Sequence, residues 1–253
     1  MPRGISQYDE AELQGRLWTP FSLNAIGISW VDSSDLSTIR GNRWYARAPL
    51  NLYTLQFNSS LMPLLVNSDL NQKPVFSYGG VRLWSRADFK PGTQEETTIA
   101  LVRTPGGAQA GIFTTAVTSG RDYYVTSSGE FVLRRRNVIT YATSGAGNVI
   151  KTNQWTLVGL EYTATSAQFY QGGEPLGPLT STSIAFSTTA RSLIGSNGFA
   201  EPWGGEIAEL LSVPFVSETS RQIYEGYLAW KWGVQHLLPA VHPFISRPPA
   251  IGD

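Results

Sequence analysis

Gly205-Glu-Ile-Ala-Glu-Leu-Leu-Ser-Val213, Ser217-Glu-Thr-Ser-Arg-Gln-Ile-Tyr-Glu-Gly-Tyr-Leu-Ala-Trp-Lys-Trp-Gly233 and Leu238-Pro-Ala-Val-His-Pro243 follow one another near the end of the chain. The first stretch reads as a strand. The second carries helix punctuation at both ends. Ser217 is a good N-cap, and Glu218 favours the positive end of the helix dipole. Ile223, Tyr227 and Trp230 recur at helical spacing, and Tyr224 and Leu228 widen the stripe. Gly233 suits the left-handed stop, with Lys231 in the last turn. The pattern predicts one helix of about four turns over 218–232, its aromatic face packed on a sheet. Gly226 inside it costs about 1 kcal/mol of helix propensity, which close approach to the sheet or to another segment would explain. Beyond Gly233, four prolines predict an extended tail over 238–253.

Upstream, short apolar runs alternate with turn residues. Ile26, Ile28 and Trp30 alternate to one face and lead into an Asp/Ser turn. Leu61-Met-Pro-Leu-Leu-Val66 is apolar but broken by Pro63, so it reads as an edge or loop segment. Strands are predicted at Val75–Tyr78, Val81–Trp84, Thr97–Val102, Gly111–Ala116, Asp122–Thr126, Glu130–Arg134, Val138–Tyr141, Trp155–Tyr162, Ala167–Gln171 and Ser183–Phe186. This spacing argues for an all-β sandwich or barrel. Ser127-Ser128-Gly129 and Gln171-Gly172-Gly173 read as hairpin turns, where glycine supplies the positive φ. Residues 1–20 form an arm, which Leu17, Trp18 and Phe21 would anchor to its own sheet or to a neighbour. Residues 21–237 form the sandwich.

Composition narrows the partners. The 253 residues suit one large sandwich. Nineteen basic residues balance nineteen acidic ones, so no global field steers nucleic acid or an acidic membrane. Only 15% of residues are charged, which fits a surface partly covered by other chains. Cysteine is absent, so disulfides and thiolate metal sites are excluded. No apolar run approaches the ~20 residues needed to span a bilayer, and the first residues show no signal peptide.

Several segments, in order, resemble a known family. They are Trp30-Val-Asp-Ser-Ser-Asp35, Asn71-Gln-Lys-Pro-Val-Phe76, Phe169-Tyr-Gln-Gly-Gly-Glu174, Ile194-Gly-Ser-Asn197, Trp203-Gly-Gly-Glu-Ile-Ala-Glu209, the helix through Gly233 and the Leu238–Pro243 exit. Together they are similar to the concanavalin A-like, laminin-G-like sandwiches of bacteriophage virion proteins and bacterial surface proteins. The early region departs from that pattern at Asn42-Arg43-Trp44-Tyr45. The resemblance implies an all-β, two-sheet antiparallel jelly roll with one C-terminal helix. It also implies a structural or adhesive role in a virion, as a tail, fibre or capsid component.

Candidate chemistry is sparse. Glu206 and Glu209 invite comparison with the carboxylate pair of a glycosidase. They are three apart, and a regular strand would send them to opposite faces. One is expected to be solvated and the other paired at a sheet edge. His236 and His242 lie in the proline-rich exit with no acidic neighbour in sequence, so a zinc site is not expected. Asp32 and Asp35 are a weak start for calcium, which wants six to eight oxygens; an Asp/Ser turn capping its own backbone is the simpler reading. Arg134-Arg135-Arg136 is the sharpest charge cluster, and Arg134 and Arg136 are candidates for an anionic glycan or a partner's carboxylates. Of the aromatic residues, Trp30, Trp155, Trp203, Trp230 and Trp232 are expected in the core. Trp84, Tyr123 and Tyr124 sit beside predicted turns and are the candidates for stacking on sugar.

The sequence therefore points to a non-enzymatic virion protein, assembled in the bacterial cytoplasm without cofactor. Its expected partners are other virion proteins and its own copies in a symmetric oligomer such as a trimer. The alternative is a carbohydrate-binding adhesin module reading a host surface glycan; glycoside hydrolysis is the remote third reading.

Overall fold

Strands with two apolar faces mark the centre of this protein. In Glu96–Arg103, Ala100 and Val102 join one hydrophobic cluster, whereas Ile99 and Leu101 join another. Such a strand needs a cover on each side. The computed structural model describes residues 17–22, 29–40, 43–44, 63–79, 84–86, 95–106, 110–115, 121–135, 139–145, 150–181, 192–196 and 201–253. In chain order the described strands are β1 (Ser29–Asp32), β2 (Ile39–Arg40), β3 (Arg43–Trp44), β4 (Leu64–Asn67), β5 (Pro74–Ser77), β6 (Trp84–Arg86), β7 (Glu96–Arg103) and β8 (Ala110–Thr115). They continue as β9 (Arg121–Val125), β10 (Phe131–Arg135), β11 (Ile139–Thr143), β12 (Trp155–Tyr162), β13 (Ser166–Gln171), β14 (Glu174–Ser181), β15 (Ser192–Ile194) and β16 (Glu206–Pro214). The helix Glu218–Trp232 follows.

Two antiparallel sheets carry the fold. One has eight strands, ordered β14-β13-β12-β7-β16-β5-β4, with β1 also paired to β16. The other has six, ordered β11-β10-β9-β8-β15-β6. Phe76, Ile112, Phe113, Tyr123, Phe131, Phe169 and Ile207 fill the space between them. A second core lies on the opposite face of the eight-stranded sheet. There Leu101, Leu157 and Leu211 meet Tyr224, Tyr227, Leu228 and Trp232 of the helix. The architecture is a two-sheet antiparallel jelly-roll sandwich with a helix as third layer.

The helix has the bounds its caps predict. Ser217 Oγ accepts from the Ser220 N–H at 3.3 Å. Gly233 adopts φ 70°, and the Val234 N–H returns to the Ala229 carbonyl at 2.8 Å. Gly226 is explained by another segment: a Cβ there would lie 2.6 Å from Phe244 Cβ. The tail therefore does not run free. After a short 3-10 turn at Gln235–Leu237, Leu238, His242 and Phe244 are buried against the helix. The arm joins them. Trp18 donates its N–H to Pro249 O at 3.1 Å and packs its ring on Tyr224 and Tyr227 at 5.1 and 5.8 Å. Trp18 and the tail thus close over their own helix, which is the first of the two anchorages expected for the arm.

Both predicted hairpin turns are present, with φ 90° at Gly129 and 60° and 94° at Gly172 and Gly173. The Gly172 turn also docks on the exit, since a Cβ there would lie 2.0 Å from Leu237 O. The broken apolar run at Pro63 becomes edge strand β4. The sequence reading passes over β14 because Pro175, Gly177 and Pro178 interrupt it; an edge position tolerates them. Ile26, Ile28 and Ser183–Phe186 lie outside the described residues.

Candidate functional site

Strand β16 carries two glutamates, and a single extra residue decides how they face. Opposite β7, Glu206 pairs with Arg103 and Ile207 with Val102, but Glu209 pairs with Leu101. Ala208 is the bulged residue. The bulge returns both carboxylates to the helix side of the sheet, so the three-residue spacing does not separate them as a regular strand would. Two rows of side chains result. One runs Trp155–Arg103–Glu206–Ser77 and the next Leu157–Leu101–Glu209–Asp32.

The second row lies under the helix. Glu209 is fully buried. Its Oε1 accepts from Trp30 Nε1 at 2.5 Å and Tyr227 OH at 3.0 Å. Its Oε2 accepts from Lys231 Nζ and Trp232 Nε1, both at 2.7 Å. Lys231 Nζ also reaches Asp32 Oδ2 at 2.5 Å, and Asp32 Oδ1 accepts from the Ser34 N–H and Oγ–H. Burial pushes the Glu209 carboxyl above the ordinary range, while Lys231 opposes the shift and Asp32 adds to it. The expected pair at a sheet edge is thus corrected, since Glu209 is paired inside the sheet and beneath the helix. Glu209 is the centre of a closed structural network with no face open to a substrate.

The first row emerges into a cavity of about 230 Å³ lined by Arg103, Pro105, Asn153, Gly204, Gly205 and Glu206. Arg103 is held as a fork. Its Nε donates to Glu206 Oε2 at 2.9 Å and its Nη2 to Oε1 at 3.2 Å. Asp69 lies 3.5 Å from Nη1, and the guanidinium sits over the Trp155 ring at 4.9 Å. Trp155 Nε1 donates in turn to Asp69 Oδ1 at 2.9 Å. The hydrogen bond to Glu206 pushes the Arg103 guanidinium above its ordinary value. Asn153 adopts φ 58°, a conformation Asn tolerates better than most residues, and its N–H donates to Thr104 O at 2.7 Å.

The candidates named from sequence scatter. Tyr123 is fully buried between the sheets, 5.9 and 6.0 Å from Phe131 and Phe169. It is a core residue, since alternation on β9 sends it inward, and so cannot stack on a sugar. Tyr124 faces outward but is only 6% exposed. Arg134 covers its ring at 4.2 Å. Arg134 is itself bound to Asp122 at 3.0 Å and Glu201 at 2.9 Å. Trp84 begins β6, paired with Ile194 on β15. Arg136 lies outside the described residues. The structure brings Tyr124 and Arg134 together and separates Tyr123 from them.

The remaining titratable candidates have local partners. Asp35 caps a short 3-10 turn, accepting from the Ser37 N–H at 3.1 Å, whereas Asp32 belongs to Lys231. Among the described residues no group of three or more His, Cys, Asp or Glu is placed to hold a metal. His242 is buried, with Nδ1 accepting the Phe244 N–H at 3.2 Å, which assigns the proton to Nε2, 3.3 Å from Glu225 Oε2. An acidic neighbour is therefore present, supplied by the helix rather than by nearby sequence.

The sequence reading does not single out Arg103, Asp69 or Asn153, and it assigns Trp155 to the core. Their convergence depends on pairing across β12, β7 and β16, for which no local signal exists.

No protein-family model matches the chain. No curated protein matches it in sequence. Solved structures do match in shape. The sialidase of Trypanosoma rangeli, in complex with 2,3-difluoro-KDN, aligns at 9% identity and TM-score 0.56 over 88% of this chain and 38% of that one. Domain 4 of AbnA, a GH43 extracellular arabinanase from Geobacillus stearothermophilus in complex with arabinotriose, aligns at 12% identity and TM-score 0.50 over 76% and 84%. The CBM40 of the Ruminococcus gnavus IT-sialidase aligns at 16% identity and TM-score 0.43 over 50% and 79%. The superpositions on the Trypanosoma rangeli sialidase and the arabinanase domain show a shared fold alone.

Proposed function

We propose that this chain is a non-catalytic, lectin-like sandwich of a bacteriophage virion, a tail, fibre or capsid-decoration component that is assembled in the host cytoplasm and packs against copies of itself. The observation that carries the reading is the inequality of the two edges of the eight-stranded sheet. Edge β14 is guarded. Pro175 and Pro178 remove backbone donors, and Gly177 breaks the strand at φ 75°. Edge β4 is not. Leu64-Leu65-Val66-Asn67 has no proline or charge, and Leu64 and Leu65 are 51% and 42% exposed. An apolar, uncharged edge is a hazard for a free monomer and an asset for a chain that assembles. The phage setting rests on the resemblance of Trp203–Glu209, the helix and its exit. Sedimentation velocity tests the reading, with Leu64→Lys/Leu65→Lys as the variant. Wild type is expected to self-associate and to co-purify with particles, and the variant to be monomeric. A monomeric wild type absent from particles overturns it.

A second reading, a module that binds a host glycan, is favoured by the open polar cleft on β16. The arabinanase domain of like fold is in complex with arabinotriose. Hydrolysis is not part of either reading, because Glu209 is sealed beneath the helix and Glu206 is forked onto Arg103.

A further inference from the structure

We infer that the cleft of Arg103, Glu206, Asn153, Pro105, Gly204 and Gly205 is a subsite for one neutral sugar ring; the inference rests on the glycan-binding reading and names its site and its ligand class. Three features lead to it.

The polar groups are held before any ligand arrives. Arg103 is fixed by the Glu206 fork, by Asp69 and by the Trp155 face, and Asp69 is fixed by the Trp155 N–H. Side chains locked in this way lose little freedom on binding. A guanidinium that only donates beside carboxylates that only accept suits adjacent hydroxyls, each of which can do both.

The charge selects the ligand class. Arg103 and Glu206 are the charged residues lining the cavity, and they cancel. Asp69, 68% exposed at its side chain and 3.5 Å from Arg103, adds a negative charge beside the pair. A sialic or uronic acid would bring a carboxylate toward two carboxylates around one shared cation. A neutral ring meets no such repulsion.

The size limits the ligand to one ring. The cavity of about 230 Å³ falls below the ~300–1,000 Å³ of pockets for drug-sized ligands. Gly204 leaves room beside Pro105, whose Cγ a Cβ there would reach at 3.3 Å, and Gly205 lets two backbones approach, since a Cβ there would strike Arg103 O at 1.8 Å.

The test uses the full chain and methyl glycosides of arabinose, galactose, mannose and N-acetylglucosamine, with sialic acid as the anionic probe. Binding is read by saturation-transfer NMR and by the indole N–H resonance of Trp155. At least one neutral glycoside is expected to bind at millimolar concentration and to move that resonance. Glu206→Gln and Asp69→Asn are expected to weaken it roughly tenfold or more, the scale of a lost hydrogen bond to a charged group. Gly204→Val, which adds bulk to the cavity lining beside Pro105, is expected to abolish it. Thermal melts of all three variants report whether they fold. If a neutral glycoside binds and folded Gly204→Val, Glu206→Gln and Asp69→Asn bind it equally well, the site is elsewhere and the glycan-binding reading survives. Sialic acid binding in place of neutral sugars overturns the ligand class. Binding of none of the probes overturns both this inference and the glycan-binding reading.

Discussion

Glu206 and Glu209 sit on one strand and one face, yet they belong to different regions of the molecule. Glu209 lies under the helix with four donors on two oxygens and no solvent. Glu206 lies in the open cleft, where its partner Arg103 keeps a side-chain exposure of 26%. Both are acid–base pairs, one bridging two strands and the other a strand and the helix, but burial gives them different work. An ion pair removed from water is stable only if every lone pair and proton is met, and losing one member is severe. A pair at the surface contributes little to stability and remains available to a ligand.

That contrast is tested first at its stronger end. Lys231→Met strands two buried carboxylates, Asp32 and Glu209, and is expected to cost about 3–5 kcal/mol in urea denaturation. A cost below 1 kcal/mol would mean the network is not a structural keystone. Gly226→Leu drives a side chain into Phe244 and is expected to cost about 1–3 kcal/mol despite better helix propensity. Phe244→Ala in that background should recover part of the loss, because the two sites share one space. Ser217→Ala removes the helix cap and is expected to cost about 1 kcal/mol. Arg103→Ala, in the cleft, is expected to cost less than about 1 kcal/mol. If Arg103→Ala and Lys231→Met shift the urea midpoint equally, the distinction between the regions fails.

The fold was legible to the extent that its signals were local. Ser217, Glu218, Lys231 and Gly233 act within a turn or two of the helix they bound, so its limits could be read directly. Trp155–Tyr162 was equally plain, since apolar and β-branched residues fill it and a polar turn precedes it. Proline misled at β14, because a strand at an edge obeys looser rules than one inside a sheet. The tail misled for a related reason. Its prolines forbid a regular element, but they do not forbid Leu238, His242 and Phe244 from packing against the helix.

The candidate site was far less legible. Tyr123 and Tyr124 are neighbours of identical type, and only the sheet's two sides separate core from surface. The Arg134 cluster reads as free charge until Asp122 and Glu201 are seen beside it. Nothing in Glu-Ile-Ala-Glu marks Ala208 as a bulge, yet that residue sets the direction of both glutamates.

By itself the sequence determined the all-β character, the helix with both its caps, the hairpin glycines and a need for close approach at Gly226. These follow from backbone preferences and periodicity, which act over a few residues. Only the tertiary structure decided that Lys231 would meet Asp32 and Glu209, that Trp18 and the tail would close over the helix, and that Asp69 and Trp155 would flank the Arg103–Glu206 pair. Such contacts join residues far apart in the chain, and their energies depend on burial, which no short stretch of sequence contains.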